Sequence, residues 1–128
     1  MNFTIQPNRG IGDIHFGMTR SEIESILGNP TNIENSTNAL DIPATILHYD
    51  ELELTLVLEG DNPTLHCIET SNETCLLFGK ATMEMNEQEL IAEMKNQGYP
   101  EPDIEDEPWG ERSISYEKNN IDFFFEED

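Results

Sequence analysis

Alternating apolar and polar positions predict most of the strands in this chain. The clearest alternation runs from Leu52 to Leu58, where every second position is a leucine. A period of two indicates a strand with one face buried. Together with the apolar runs on either side, it predicts an antiparallel meander. The predicted strands of this meander are 46–49, 53–59, 65–70 and 75–78.

Shorter patterns predict strands near both ends of the sequence. On the amino-terminal side, segments 3–5 and 11–16 are separated by a Pro- and Gly-containing turn. On the carboxyl-terminal side, segments 113–117 and 121–125 predict a hairpin across Lys118, Asn119 and Asn120. Two polar stretches are predicted as loops instead. They are 31–44, rich in Asn, Thr and Ser, and 99–111, which contains three prolines.

Two helix starts carry the same signal. Thr19 is followed three residues later by Glu22, and Asn86 is followed in the same way by Glu89. In such a capping box, each side chain accepts from the other residue's backbone N–H. Apolar residues at helical spacing follow each box, and a glycine ends each run. The predicted helices are 20–27 and 87–96.

The two helix starts stand 67 positions apart, and Tyr49 and Tyr116 repeat this offset. The repetition indicates an internal duplication, although strong capping signals can also occur twice by chance. We therefore predict one α+β domain over 1–128, an antiparallel β-sheet with helices packed on one face. It is expected to consist of two helix-plus-hairpin units in tandem, approximately at 11–78 and 79–128.

The segment Phe-Gly-Met-Thr-Arg-Ser-Glu-Ile at 16–23, with Ile-Leu-Gly-Asn-Pro at 26–30, resembles a recurrent bacterial pattern. It is similar to the start of the SmpA/OmlA-type envelope domains and to the tandem repeats of the beta-lactamase inhibitor protein family. A weaker second similarity lies at 83–98. The resemblance implies a helix against an antiparallel sheet. The inhibitor family would add inhibition of a protein through the sheet face and loops.

Charge narrows the range of partners. The 128 residues include 27 acidic and 6 basic side chains, for a net charge of −21, and residues 84–128 are the more acidic part. A field of this sign repels phosphate backbones and anionic membranes, so neither nucleic acid nor membrane is expected as a partner. It attracts a basic protein partner. The alternatives are that the acid only keeps the protein soluble or that it buffers cations.

The amino-terminal segment and the cysteines favour a cytoplasmic location. Segment 1–7 has no basic region and no long apolar run, so no secretion signal is expected. No segment approaches the ~20 apolar residues of a membrane-spanning helix. Cys67 and Cys75 have no zinc-site spacing and are expected to be reduced. A disulfide between them is the alternative.

Groups for catalysis are few. His15, His48 and His66 have no metal-ligand spacing, and no nucleophile, zinc-protease or phosphate-loop motif is present. No enzyme activity, cofactor or metal ion is therefore predicted. Calcium binding by the acidic run 101–107 is an alternative, but the run lacks the glycine of an EF-hand loop. A catalytic carboxylate pair also stays open, because 27 acids form accidental pairs.

Trp109 is the one tryptophan of the sequence and follows an acidic run. An aromatic anchor surrounded by carboxylates suits a basic partner, because the ring supplies desolvated area and the charges steer and pair. The predicted partner-binding residues are Tyr99, Asp103, Glu105, Asp106, Glu107 and Trp109. The alternative is that Trp109 folds back and fills the core beneath its loop.

These patterns predict a protein-binding module that masks a basic partner surface, with a bacterial toxin-immunity or inhibitor protein as its sharpest form. The alternative is a structural or homo-oligomeric assembly protein. Residues 123–125 are three consecutive phenylalanines, which place apolar side chains on both faces of the last strand. That strand is then either central in its sheet or covered by a second copy in a homodimer.

Overall fold

The computed structural model of the protein describes residues 2–37, 40–116 and 121–126. The predicted hairpin turn at Lys118, Asn119 and Asn120 lies outside these residues. The described helices are α1 (Arg20–Leu27) and α2 (Glu87–Asn96), and short 3-10 turns lie at Asp50–Leu52 and Thr82–Glu84. The strands are β1 (Thr4–Gln6), β2 (Gly10–Ile11), β3 (Ile14–His15), β4 (Asn32–Thr37), β5 (Pro43–Tyr49), β6 (Leu54–Glu59), β7 (Thr64–Thr70), β8 (Leu76–Leu77), β9 (Lys80–Ala81), β10 (Asp103–Asp106), β11 (Glu111–Tyr116) and β12 (Ile121–Glu126).

The predicted fold class is wrong. The protein is 45% strand and 20% helix. Its described strands form a five-stranded sheet in the order β3-β2-β1-β8-β9, a four-stranded sheet β4-β5-β6-β7 and a three-stranded sheet β10-β11-β12. Two helices of eight and ten residues are too few to make an α+β fold of helices packed on one face. The sheets following α1 and α2 also differ in size, so two tandem helix-plus-hairpin units are not supported.

The central part of the predicted meander is confirmed. Strands β5, β6 and β7 are antiparallel neighbours, and the register places Leu47 and Ile68 on either side of Leu56. Leu54, Leu56 and Leu58 are all buried, as their alternation predicted. The fourth predicted strand, 75–78, does not join this sheet. The shorter β8 instead pairs in parallel with β1 and antiparallel with β9, a distant pairing that a local pattern does not contain.

Both stretches predicted as loops contain a strand. All six residues of β4 are exposed, and β4 pairs with β5 at one edge of the four-stranded sheet. Strand β10 is likewise exposed along its whole length and pairs with β11, while Pro102 and Pro108 stay just outside it. An edge strand with both faces in solvent needs no alternation of apolar residues, and proline is tolerated beside it. The period-two criterion therefore missed both.

The helix predictions are confirmed, because their signals are local. The Thr19 hydroxyl accepts from the Glu22 N–H at 3.3 Å, and the Glu22 carboxylate accepts from the Thr19 N–H at 3.2 Å. The Asn86 amide oxygen accepts from the Glu89 N–H at 2.9 Å in the same arrangement. Neither described helix is long and apolar enough to cross a membrane.

The chain divides into two compact units, Met1–Met83 (unit 1) and Glu84–Asp128 (unit 2). Unit 1 contains α1 with the five- and four-stranded sheets, and unit 2 contains α2 with the three-stranded sheet. The core of unit 1 consists of Phe3, Ile11, Ile14, Ile23, Leu47, Tyr49, Leu54, Leu56, Leu58, Leu65 and Cys75. The large buried side chains of unit 2 include Leu90, Met94, Ile114 and Tyr116.

Two groups in the core of unit 1 have altered acidity. The Tyr49 hydroxyl donates to the Gly28 carbonyl at 2.9 Å, which joins β5 to the end of α1. Burial, and to a smaller extent the charge of Glu24, raises the pKa of Tyr49. Burial also raises the pKa of the Cys75 thiol. Cys67 is exposed on β7, and no disulfide joins the two cysteines in the part of the chain described here.

Strand β12 is an edge strand of the three-stranded sheet, so the alternative of a central position is wrong. Phe123 and Phe125 are half-buried, while Phe124 between them is 52% exposed. A central position in the sheet therefore does not explain why β12 has phenylalanines on both of its faces. One of these faces forms the candidate site.

Candidate functional site

The register of the three-stranded sheet sorts its side chains onto two faces. Glu105 lies opposite Ser113, and Ser113 lies opposite Phe124. Since directly opposite residues share a face and neighbours along a strand alternate, Asp103 lies on this face as well. We call it the acid-aromatic face. Its acidic and aromatic residues include Asp103, Glu105, Glu107, Trp109, Glu111 and Phe124.

Trp109 stands at the tip of the hairpin that joins β10 to β11. The Glu107 N–H donates to the Glu111 carbonyl at 2.7 Å, and the Gly110 N–H donates to the Glu107 carbonyl at 3.1 Å. These two bonds close a three-residue loop, in which Gly110 adopts the left-handed conformation that such loops require (φ 96°). Pro108 suits the first loop position because its φ is already fixed. The local sequence thus presents the Trp109 side chain outside the strands.

Trp109 is 62% exposed, so the alternative that it fills the core is wrong. Its centroid lies 6.5 Å from that of Phe124, with the rings tilted by 42°. The indole Nε1–H donates to the Glu111 carboxylate at 2.6 Å. One bond and one ring contact therefore orient the indole while leaving most of its surface accessible.

Further carboxylates lie on the same face as this aromatic pair. Glu107 is half-buried, and its carboxylate accepts from the buried Ser113 hydroxyl at 2.8 Å. Glu111 is held by the indole, whereas Asp103 and Glu105 are exposed. Among the ion pairs of the described residues, none involves Asp103 or Glu105.

The opposite face of the same sheet carries Asp106 with Ile104, Arg112 and Ile114. Arg112 lies 3.9 Å from the Asp106 carboxylate and 3.4 Å from that of Glu87 on α2. Asp106 thus belongs to an internal ion pair, although sequence analysis grouped it with Glu105 and Glu107. The structure separates it from them because adjacent residues of a strand point to opposite faces.

Tyr116 is also on this opposite face and is buried. Its ring lies edge-on to Phe123, with the centroids 6.4 Å apart. Within the described residues, its buried hydroxyl has no hydrogen-bond partner. Burial, followed by the nearby charge of Glu101, raises the pKa of Tyr116.

Tyr99 is outside the strands of the three-stranded sheet. It follows α2, is half-buried, and donates its N–H to the Met94 carbonyl at 3.0 Å. The contacts that orient Trp109 come from Glu111 and Phe124 instead, and sequence analysis assigned neither residue to the site. Phe124 was noticed only as part of a phenylalanine run. Its position beside Trp109 depends on the pairing of β11 with β12.

The three histidines of the chain belong to unit 1 and not to this face. His48 contacts the Glu34 carboxylate at 2.7 Å, and His15 contacts the Gly12 carbonyl at 3.1 Å, both in unit 1. No group of three or more potential metal ligands occurs among the residues that the structure describes. A shallow groove of unit 1 is lined by acidic and hydroxyl side chains. In it, Ser71 and Thr70 already donate to Glu53.

The chain matches no family model, no curated protein and no solved structure. What the site can do therefore follows from its own residues. It combines an oriented, exposed aromatic pair with carboxylates on one face of a sheet.

Proposed function

We propose that the chain is a protein-binding module that masks a basic surface of a partner protein through its acid-aromatic face. In its most specific version, the proposal is that the chain is an immunity protein that neutralises a basic toxin, or a protein inhibitor. The observation that carries it is the exposed Trp109–Phe124 pair, which shares one face of the sheet with several carboxylates. The large acidic excess of the chain supports the same reading.

The two kinds of side chain would contribute differently. Aromatic residues oriented before binding lose little entropy when they are covered, and they are enriched among the residues that dominate interface energies. Unpaired carboxylates such as Asp103 and Glu105 attract a basic surface and accelerate association. Binding should therefore depend on Trp109 for affinity and on the carboxylates for rate and salt sensitivity.

The test is affinity capture from a lysate of the source organism with matched baits. The wild-type chain is compared with Trp109→Ala and with the double variant Asp103→Asn/Glu105→Gln. The control is Asp61→Asn/Glu73→Gln, which removes the same charge from exposed positions of unit 1. We expect a basic protein that the wild type and the control retain and that both face variants lose.

The captured protein is then purified and its affinity is measured. Removing an aromatic hot spot costs about 2 kcal/mol or more, so Trp109→Ala should raise Kd roughly thirtyfold. Added salt should slow association, because exposed charges are screened beyond about 10 Å at 0.1 M. Retention by the face variants equal to that by the control, or association insensitive to salt, would contradict the proposal.

A homodimer through β12 is the second candidate, because β12 is an edge strand with an exposed phenylalanine. Edge strands of this kind pair readily with a second chain. Sedimentation over a wide concentration range tests it, with Phe124→Lys as the variant. A mass that stays monomeric at every concentration would rule out the dimer. The acidity of the chain opposes self-association and favours the first candidate.

A further inference from the structure

Among the described residues, β10 pairs only with β11, so its outer edge has backbone groups that no described strand uses. The bond from the Glu107 N–H to the Glu111 carbonyl marks these two residues as a hydrogen-bonded pair. Hydrogen-bonded pairs alternate along an antiparallel ladder, so Glu105 is bonded to Ser113 and Asp103 to Ser115. The backbone N–H and C=O groups of Ile104 and Asp106 therefore point away from β11. A further strand added at this edge would pair with these groups.

The side chains of this edge alternate in chemistry as well as in direction. Asp103 and Glu105 lie on the acid-aromatic face, whereas Ile104 and Asp106 lie on the other face. All four residues are exposed. An added strand would thus meet two carboxylates on one face, and an apolar side chain and a carboxylate on the other.

Charge decides which strand can pair here. A second copy of β10 would place carboxylates opposite carboxylates, and like charges directly opposite each other destabilise a sheet. Acidic edges of this kind prevent self-association. A basic strand, by contrast, would form opposite-charge pairs with the same residues. The edge excludes its own copy and admits a chain of opposite charge.

We propose that β10 accepts an extended segment of the basic partner as a fourth, antiparallel strand. Antiparallel pairing continues the pattern of the sheet and is slightly more stable per residue than parallel pairing. The segment would read basic-basic-apolar-basic, with these four positions opposite Asp106, Glu105, Ile104 and Asp103 in that order. This inference rests on the proposed function, since it specifies how the partner of the acid-aromatic face is bound.

The test uses synthetic peptides with the core Lys-Arg-Val-Lys, flanked by Gly and Ser and blocked at both ends. In one peptide the first and third core residues are N-methylated, which removes the donors aimed at the Asp106 and Ile104 carbonyls. In the matched control the second and fourth residues are N-methylated, where the N–H groups would point away from β10. Charge and side chains are the same in all three peptides. A fluorescent label and anisotropy give each Kd.

We expect the first methylated peptide to bind about tenfold or more weakly than the parent, because two backbone hydrogen bonds are lost. The control peptide should stay within about threefold of the parent, because its lost N–H groups have no partner in the sheet. Equal weakening of both peptides, or a parent peptide that does not bind at millimolar concentration, would overturn strand addition.

A variant of the chain tests the same edge from the other side. Ile104→Pro removes an outward N–H while leaving the bonds between β10 and β11 in place, and proline is tolerated on edge strands. Far-UV circular dichroism checks that the sheet persists. Ile104→Ala keeps the N–H, so it should bind the parent peptide more tightly than Ile104→Pro does. Equal binding by both variants would place the peptide elsewhere and overturn the inference.

The two proposals fail separately. If a basic protein is captured through Trp109 but the two methylated peptides bind equally, strand addition is wrong and the proposed function stands. If the capture experiment finds no protein that distinguishes the face variants from the control, the proposed function is wrong, and strand addition falls with it.

Discussion

The four-stranded sheet of unit 1 buries the apolar residues that meet across its strands, whereas the three-stranded sheet of unit 2 buries Ile114 and Tyr116 on one face and leaves an aromatic pair exposed on the other. In the first, Leu47 and Leu56 lie opposite each other and are fully buried. In the second, Trp109 and Phe124 contact each other and are 62% and 52% exposed. Apolar contact thus stabilises unit 1, whereas in unit 2 an aromatic pair remains accessible. Leu47 and Leu56 therefore maintain the fold, whereas most of Trp109 and half of Phe124 stay accessible to solvent.

Truncating one residue in each unit should give the largest difference in stability between the two sheets. Leu56→Ala should lower the free energy of unfolding of unit 1 by about 2–5 kcal/mol, because it leaves a cavity in a packed core. Trp109→Ala should change stability by less than about 1 kcal/mol, because most of the ring is already in water. Urea denaturation followed by circular dichroism measures both values. A larger loss for Trp109→Ala would assign the indole to the fold.

Removing the two helix caps should give smaller losses of stability, which are also closer to each other in size. Asn86→Ala and Thr19→Ala should each cost about 1 kcal/mol, because each removes an acceptor for a free helix N–H. The Asn86 bond is 2.9 Å long and the Thr19 bond is 3.3 Å, so Asn86→Ala should be the more costly change. Segment-resolved hydrogen exchange over each helix provides the measurement. The reverse order would show that tertiary contacts outweigh the caps.

The two buried tyrosines give the finest comparison. Tyr49→Phe removes a bond to Gly28 and should cost about 1 kcal/mol. Tyr116→Phe removes a buried hydroxyl without a partner in the described chain, so it should be neutral within about 0.5 kcal/mol or stabilising. Thermal and urea unfolding of the two variants tests this contrast. Equal losses would mean that the Tyr116 hydroxyl has a role outside the described contacts.

The same tyrosines set the response to alkaline pH. Burial raises the pKa of Tyr49 and Tyr116 above the ordinary value of 10.0. Above that value the unfolded chain releases these protons first. The stability is therefore complete below pH 10 and is lost as the pH rises through the folded-state pKa values. Unfolding curves at increasing alkaline pH should show this decline, and each Phe variant should show a shallower one.

Sequence analysis succeeded where the signal is local. The bounds of α1 and α2 follow from a cap at one end and a glycine at or just beyond the other, and the leucine alternation in β6 indicates its buried face directly. It failed where a strand has no buried face. Strands β4 and β10 are exposed throughout, so their sequences resemble loops, and only pairing with β5 and β11 shows them to be strands.

The candidate site was partly predictable for the same reason. Trp109 and the carboxylates beside it stand out in the sequence, but their division between two faces depends on β10 being a strand. The contribution of Phe124 depends on the register between β11 and β12, which places it beside an indole at the far end of the hairpin. The parallel pairing of β1 with β8, which places Thr4 opposite Leu76, joins residues that are much farther apart in the sequence.

The two cysteines differ in exposure, so the rates at which they are alkylated would report how often the core of unit 1 opens. Alkylating reagents attack the thiolate, so Cys67, exposed on β7, should be modified rapidly. Cys75 is buried and its pKa is raised, so its modification has to wait until the surrounding core opens. Mass spectrometry after timed alkylation would therefore measure the rate of Cys75 modification in the wild-type chain, and this rate depends on how often the core opens.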